Sequence, residues 1–327
     1  MAKWGWNLGK KPFQPKQIYR GRFAPSPTGP LHFGSLVAAV ASYIDAKYHS
    51  GIWLVRIEDL DILRTMPDAA DDILRTLDLF GLHSDEPVIY QSQRTDAYQT
   101  ALQQLKNSGA SYPCICTRKE IADSAMQGIE GVIYPGTCRS GIAAFKEARA
   151  WRVRTNSLSS PHTYPCNEDD IILKFHDSLQ GLITHNLKKE IGDFVVKRAD
   201  GLFAYQLAVV VDDAFQGITH VARGSDLLAS TPRQIHLQHL LGLPTPHYLH
   251  LPIAVNTNGN KLSKQTFAPA ISGEDPVSTL MMVLDFLRQD PPPELRENSI
   301  EEILIWATNH WQLESIKNCL QIRTNLS

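Results

Sequence analysis

The segment from Ile18 to Ile57 constrains the fold more than any other part of the chain. Ile18–Ala24 reads as a short strand and a Pro/Gly-rich loop follows it. Gly34–His49 then places Leu36, Val37, Val40 and Ile44 at helical spacing, Ser50-Gly51 stops the helix, and Ile52–Ile57 reads as a buried strand. A strand, loop, helix and second strand packed into so few residues fit a parallel crossover unit and little else.

The pattern continues downstream. Thr65 followed by Pro67 predicts a helix start, with Ile73, Leu74, Leu77 and Phe80 on one face and Gly81 as its stop. Val88–Tyr90 is a strand candidate, and Ser92 is placed to cap a helix carrying Tyr98, Leu102 and Leu105 that ends near Gly109. The predicted class is α/β, a Rossmann-like doubly wound parallel sheet whose ligands sit at the carboxyl ends of the strands.

A Cys-rich stretch from Tyr112 to about Ile142 interrupts this alternation, and Trp151–Phe203 has the texture of short strands with turns at Leu179-Gln180-Gly181 and Asp200-Gly201. The α/β texture returns with Gln206–Phe215, a strand over Ile218–Arg223, a helix from Thr231-Pro232 and a strand over Leu251–Val255. The expected organisation is a basic N-terminal extension over 1–17, a catalytic domain from 18–110 and 205–264, an inserted subdomain over 111–204, and a short C-terminal region over 265–327. That last region is helical around Val277–Arg288 and Ile300–His310.

Charge and composition exclude several classes. With 32 Lys+Arg against 34 Asp+Glu in 327 residues, the chain is no histone-like coat for nucleic acid. The basic residues Lys3, Lys10, Lys11, Lys16, Arg20 and Arg22 nevertheless all precede the first acidic one, Asp45, so that end is electropositive. No apolar run reaches the ~18 residues of a membrane span and Leu36–Ala41 is too short for a signal-peptide core, so a cytoplasmic protein with no membrane partner is expected. Five cysteines are sparse and odd in number, which disfavours a disulfide framework. Three of them, Cys114, Cys116 and Cys138, cluster, which points to a metal; the alternative is a set of buried apolar thiols.

Two loops carry chemistry. Arg22 to Gly34 joins a strand to a helix N-terminus, where backbone N–H groups and the helix dipole favour phosphate; His32 could donate to a phosphate oxygen and Gly34 allows close approach of a nucleotide. Far downstream, Lys261-Leu262-Ser263-Lys264 presents two ammonium groups on a loop that could stabilise charge moving onto a leaving pyrophosphate. Either alone is weak, since Pro/Gly-rich turns are usually structural and surface lysines usually solvated.

Together, His32-Phe33-Gly34-Ser35 and Lys261-Leu262-Ser263-Lys264-Gln265 resemble the two signatures of class I aminoacyl-tRNA synthetases. The resemblance narrows to glutamyl-tRNA synthetases through Arg22–Gly29, through Leu54–Asp61 with Arg64, and through Val221–Leu228 running into Ser230–Gln234, and it spans roughly Arg20 to Gln265. Gln265–Ser327 is too short for a helical anticodon-binding region, and the lysine loop ends in Gln265 rather than Ser. Both departures are similar to the shortened glutamyl-Q tRNA(Asp) synthetase branch, which attaches glutamate to the queuosine base of the tRNA(Asp) anticodon.

The resemblance implies glutamate contacts at Arg22, Ser26, Glu58, Tyr205 and Arg223. It also implies ATP contacts at His32, Gly34, Lys261, Ser263 and Lys264, with His32, Lys261 and Lys264 as the catalytic groups. An Arg fork suits a carboxylate and Glu58 suits the substrate ammonium. The bland alternative is that Arg56, Glu58, Asp59 and Asp61 form a surface charge network, with Asp59, Asp61 and Arg64 in supporting roles. The implied substrates are L-glutamate, ATP with magnesium, and queuosine-containing tRNA(Asp), handled by a monomer. The resemblance also implies one structural zinc on Cys114, Cys116, Cys138 and Tyr134, with His162 or Cys166 as substitutes for Tyr134. The alternatives are an ordinary glutamyl-tRNA synthetase charging the tRNA 3′ end, and a non-catalytic tRNA-binding module.

Overall fold

The computed structural model describes residues 18–122, 126–143, 146–156, 171–257, 259, 261, 271 and 273–324. The expected N-terminal extension over 1–17, together with His162, Cys166, Ser263, Lys264 and Gln265, lies outside the described residues.

In chain order the elements are β1 (Arg20–Phe23), α1 (Phe33–Tyr48), β2 (Ile52–Ile57), α2 (Ala69–Leu79), β3 (Ile89–Tyr90), α3 (Thr95–Asn107), β4 (Ser111–Cys114) and α4 (Arg118–Ala122). They continue as β5 (Met126–Gly128), β6 (Gly131–Ile133), β7 (Ala150–Val153), β8 (Ile172–Asp177), β9 (Gly181–Asn186), β10 (Phe194–Lys197), α5 (Tyr205–Phe215), β11 (His220–Gly224) and α6 (Thr231–Leu241). The last are β12 (His247–Leu251), β13 (Ile253–Val255), α7 (Pro276–Phe286), α8 (Ile300–Asn309) and β14 (Gln321–Arg323).

The central layer is parallel. β2 pairs with β1 and with β3, and β11 pairs with β12. β1 and β11 meet along a seam, where Arg20 and Thr219 are joined by an N–H of Thr219 donated to the Arg20 carbonyl at 2.9 Å. The spatial order is therefore β3-β2-β1-β11-β12, the arrangement of a doubly wound sheet. Side-chain alternation along β2 divides the core: Trp53, Val55 and Ile57 join a cluster with α1, α7 and α8, while Leu54 joins one with α3, α5 and α6. Both faces are covered by helices, which is why a strand such as Ile52–Ile57 is apolar almost throughout.

α1 ends at Tyr48 because Ser50 turns into a left-handed conformation (φ 53°). Gly51 must follow, since a Cβ there would lie 2.5 Å from the Tyr19 carbonyl oxygen. β4, β7 and β10 make an antiparallel sheet, β5 and β6 a hairpin. β8 and β9 form a second hairpin that lies against the edge of the central layer through Tyr248 and Asp177.

Several boundaries differ from expectation. The helix predicted from Thr65-Pro67 begins at Ala69, because Asp68 adopts a left-handed conformation (φ 59°) through which a right-handed helix cannot run. Ser92 does not cap α3: its hydroxyl and N–H donate to Asp59, and a 3₁₀ turn over Gln91–Arg94 precedes the helix. The strand expected over Leu251–Val255 is split at Pro252, which has no N–H for a ladder. The C-terminal region is not purely helical, since β14 pairs in parallel with β13.

Candidate active site

A cleft of about 470 Å³ opens at the carboxyl ends of β1, β2, β11 and β12. It brings together Arg22, Ser26, His32, Gly34, Glu58, Tyr205, Arg223 and Lys261, every described residue that the sequence singled out for glutamate or ATP.

The phosphate end is built by the turn from β1 into α1. His32 is the N-cap, its ring accepting the Ser35 N–H at 3.3 Å and contacting the Ser35 hydroxyl at 3.0 Å. With no acidic residue in the first turn of α1, the positive end of the helix is left to an anionic ligand. Across the cleft, Lys261 donates from Nζ to Asp226 Oδ2 at 2.5 Å, which fixes the one described lysine of the downstream loop on the cleft wall.

The opposite end is a set of buried charges. Arg56 is fully buried, donating from Nη1 to Asp213 (2.7 Å) and Gln216 (2.9 Å) and from Nη2 to Glu58 (3.1 Å). Arg22 donates to the same Asp213 oxygen at 3.3 Å. Burial alone would raise the Asp213 pKa, but the Arg22 and Arg56 guanidiniums win and hold it below the ordinary carboxylate range. Glu58 goes the other way: burial pushes its pKa up, only partly opposed by the two arginines. A fixed cation adjacent to Glu58 would favour its ionised form.

Arg223 is held from behind. Its Nη1 donates to Gln234 at 2.8 Å, its Nη2 to Thr231 at 2.8 Å, and its Nε to His250 at 3.1 Å. Longer contacts of 3.4 Å reach the Tyr205 hydroxyl and the Leu227 carbonyl. These weaker bonds are the ones an incoming carboxylate can replace.

Burial divides the charges of the surface-network alternative into two groups. Arg56 and Glu58 belong to the buried cluster, whereas Asp61 pairs with Arg64 and Arg198, and Asp59 with Ser92, outside the cleft. Asp213 and Gln216 were missed by sequence reading. Their one signal was a pair of carboxylates, Asp212 and Asp213, inside an otherwise apolar helical stretch; Asp212 accepts from Gln91, Arg94 and Tyr98. His250, Thr231 and Gln234 were not assigned roles either.

A second cluster lies in the β4–β7 region. The sulfurs of Cys114, Cys116 and Cys138 lie within 4.8 Å of one another, and the Tyr134 hydroxyl is 3.5 Å and 3.4 Å from Cys114 and Cys116. Tetrahedral zinc–thiolate bonds of ~2.3 Å need sulfurs about 3.8 Å apart, so the donor set fits that ion. Arg152 donates to the Cys114 sulfur at 3.4 Å and stacks over the Tyr134 ring, where its charge would offset that of a metal-bound thiolate.

No described helix is long and apolar enough to cross a membrane. Residues 19–283 match the family of class I tRNA synthetases (E and Q), catalytic domain. The glutamyl-Q tRNA(Asp) synthetase of Dechloromonas aromatica is 54% identical over 300 residues, spanning 91% of this chain and 95% of that protein. The protein of the same name from Aromatoleum aromaticum is 52% identical over 303 residues, 93% of this chain and 92% of its own length. A glutamate-tRNA synthetase crystal structure from Elizabethkingia anophelis shares the fold, with a TM-score of 0.73 at 24% identity over 94% of this chain and 68% of that one. Fold, cleft and sequence agree: the chain belongs to the class I tRNA synthetase family for glutamate and glutamine, in its glutamyl-Q tRNA(Asp) synthetase branch.

Proposed function

We propose that the chain activates L-glutamate with ATP in the absence of tRNA and transfers the glutamyl group to the queuosine base of the tRNA(Asp) anticodon. The observation that carries this reading is the single cleft in which two arginines, a tyrosine and a buried carboxylate face the N-terminus of α1. All of these groups come from one chain and are held by internal hydrogen bonds, so adenylate formation needs no RNA to assemble the site.

In this reading Arg22 and Arg223, with the Tyr205 hydroxyl, take the glutamate carboxylates, and Glu58 takes the ammonium. Ser26 adds a hydroxyl at the cleft wall. A carboxylate oxygen of glutamate attacks the α-phosphorus of ATP, the bond to the β-phosphate breaks, and pyrophosphate leaves. His32, Gly34 and the first turn of α1 hold the phosphates, and Lys261, with Ser263 and Lys264, neutralises charge on the leaving group. Magnesium arrives with ATP. A hydroxyl of the queuosine cyclopentenediol then attacks the acyl carbon, AMP departs, and the hydroxyl proton leaves with it.

Cys114, Cys116, Cys138 and Tyr134 would hold one zinc as a closed structural site, which supplies rigidity and no chemistry because four protein ligands leave no open position. Residues 111–204 are read as the inserted zinc-binding and acceptor-type subdomain, with the Cys-rich stretch from Tyr112 to about Ile142 at its start.

The test has two arms. Glutamate-dependent exchange of pyrophosphate into ATP is expected with protein alone; exchange that requires tRNA defeats the first half. Labelled glutamate is expected on tRNA(Asp) containing queuosine whether or not the terminal adenosine is present. Labelling that survives loss of queuosine and disappears with the adenosine restores an ordinary synthetase.

A further inference from the structure

Behind Arg223 lies a chain of buried groups that touches no substrate position. Asp177 and His250 are both fully buried, Asp177 at the end of β8 and His250 in β12. His250 Nδ1 lies 2.6 Å from Asp177 Oδ2, and its Nε2 lies 3.1 Å from Arg223 Nε.

The proton positions in this chain follow from chemistry. An arginine Nε always carries hydrogen and can only donate, so His250 Nε2 must accept. The ring hydrogen therefore sits on Nδ1 and is donated to Asp177. Thr231 supports the same assignment: its hydroxyl accepts from Arg223 Nη2 at 2.8 Å and so has its own hydrogen free for His250 Nε2, 3.1 Å away, or the Leu227 carbonyl, 3.3 Å away. Asp177 is itself immobilised, its Oδ1 accepting the N–H groups of Leu179 (3.0 Å), Gln180 (2.9 Å) and His250 (3.3 Å).

We propose that Asp177 and His250 are positioning residues: the carboxylate selects the one imidazole tautomer that can accept from Arg223 Nε, and so aims the guanidinium fork at the substrate carboxylate. The proposal rests on the reading of Arg223 as a glutamate ligand. It assigns a function to the β8–β9 hairpin, which would otherwise be only an edge of the sheet. Burial keeps the ring neutral, with the His250 pKa pushed down to about 4 against the opposing pull of Asp177.

Asp177→Asn makes the test sharp. The amide oxygen can keep the three backbone bonds while its NH₂ faces Nδ1, which forces the ring hydrogen onto Nε2, donor against donor at Arg223. In the pyrophosphate exchange assay the KM for glutamate is expected to rise about tenfold or more, with the KM for ATP within about twofold. His250→Phe, which lacks the acceptor, should show the same split, whereas His250→Gln, whose amide oxygen can replace Nε2, should retain most of the affinity.

The decisive comparison is the double variant. In the His250→Gln background no tautomer remains to be chosen, so adding Asp177→Asn should change the glutamate KM by less than about twofold. A full Asp177→Asn penalty in that background would make Asp177 merely structural and overturn the proposal, as would an unchanged glutamate KM in Asp177→Asn or His250→Phe. Wild-type protein without glutamate-dependent exchange would refute the activity itself and the relay with it; wild-type exchange with insensitive variants refutes the relay alone.

Discussion

Asp213→Ala is the substitution that most directly tests how the floor of the cleft is held. The carboxylate accepts from Arg56 at 2.7 Å and from Arg22 at 3.3 Å, and all three side chains are buried. With charge centres about 4 Å apart and an effective dielectric near 20, each contact contributes roughly 4 kcal/mol of attraction. Desolvation of the carboxylate offsets much of that sum. Removal also leaves two guanidiniums with Glu58, hydrogen-bonded to Arg56, and only the more remote charge of Asp212 beside it, and an uncompensated buried charge typically costs about 3–5 kcal/mol.

Glu86→Ala is the natural control, since its bidentate contacts with Arg20 at 2.8 and 2.9 Å are at the surface. An exposed pair of that kind is worth no more than about 1 kcal/mol. Urea unfolding of the two variants beside wild type reads both numbers. A loss of less than about 1 kcal/mol for Asp213→Ala, equal to the surface control, would refute the view that this carboxylate neutralises the two arginines.

Two further outcomes are expected. Protein purified without chelator should contain about one zinc per chain by elemental analysis, and Cys116→Ser should lose it and loosen amide protection around Tyr112–Ile142; metal-free wild-type protein would count against the site. Stability should also fall as the pH drops from about 6.5 toward 4. His236 and His250 are buried with pKa values pushed down to about 4, chiefly by desolvation, so the unfolded chain binds their protons first. Each then contributes a slope of about 1.4 kcal/mol per pH unit, partly offset by Glu58, whose raised pKa acts with the opposite sign. Unfolding free energy that is flat between pH 7 and 5 would contradict this.

Much of the fold was legible because local pattern and tertiary role coincide. The helical spacing of Leu36, Val37, Val40 and Ile44 in α1 and the apolar run of β2 are both consequences of a sheet covered on two faces. The cleft was legible where one segment supplies several groups, as Arg22–Gly34 does. It was not legible where partners come from afar: Arg56 and Asp213 are 157 positions apart, His250 and Asp177 are 73, and no periodicity announces such a meeting. Arg56 in the middle of an apolar strand was the visible anomaly, and its explanation lay in α5. The break at Pro252 and the strand β14 escaped for a different reason, since short edge elements are set by tertiary pairing more than by propensity.

The seam between β1 and β11 has a consequence in time. Residues 20–107 can form local strand and helix contacts early, while Arg20 must wait for Thr219, almost two hundred positions away, before the two halves of the sheet join. In that order of assembly Arg22, Arg56 and Glu58 are expected to stay hydrated until the closing step, when Asp213 and Gln216 arrive with α5. A carboxylate that docks last stabilises the finished protein without being felt at the barrier, so its removal should speed opening of the sheet and leave the rate of closure almost unchanged in stopped-flow measurements. Equal slowing of refolding would place the joint earlier in the order of assembly. Faster opening with unchanged closure would make the ion cluster a latch on residence in the folded state, not a guide to reaching it.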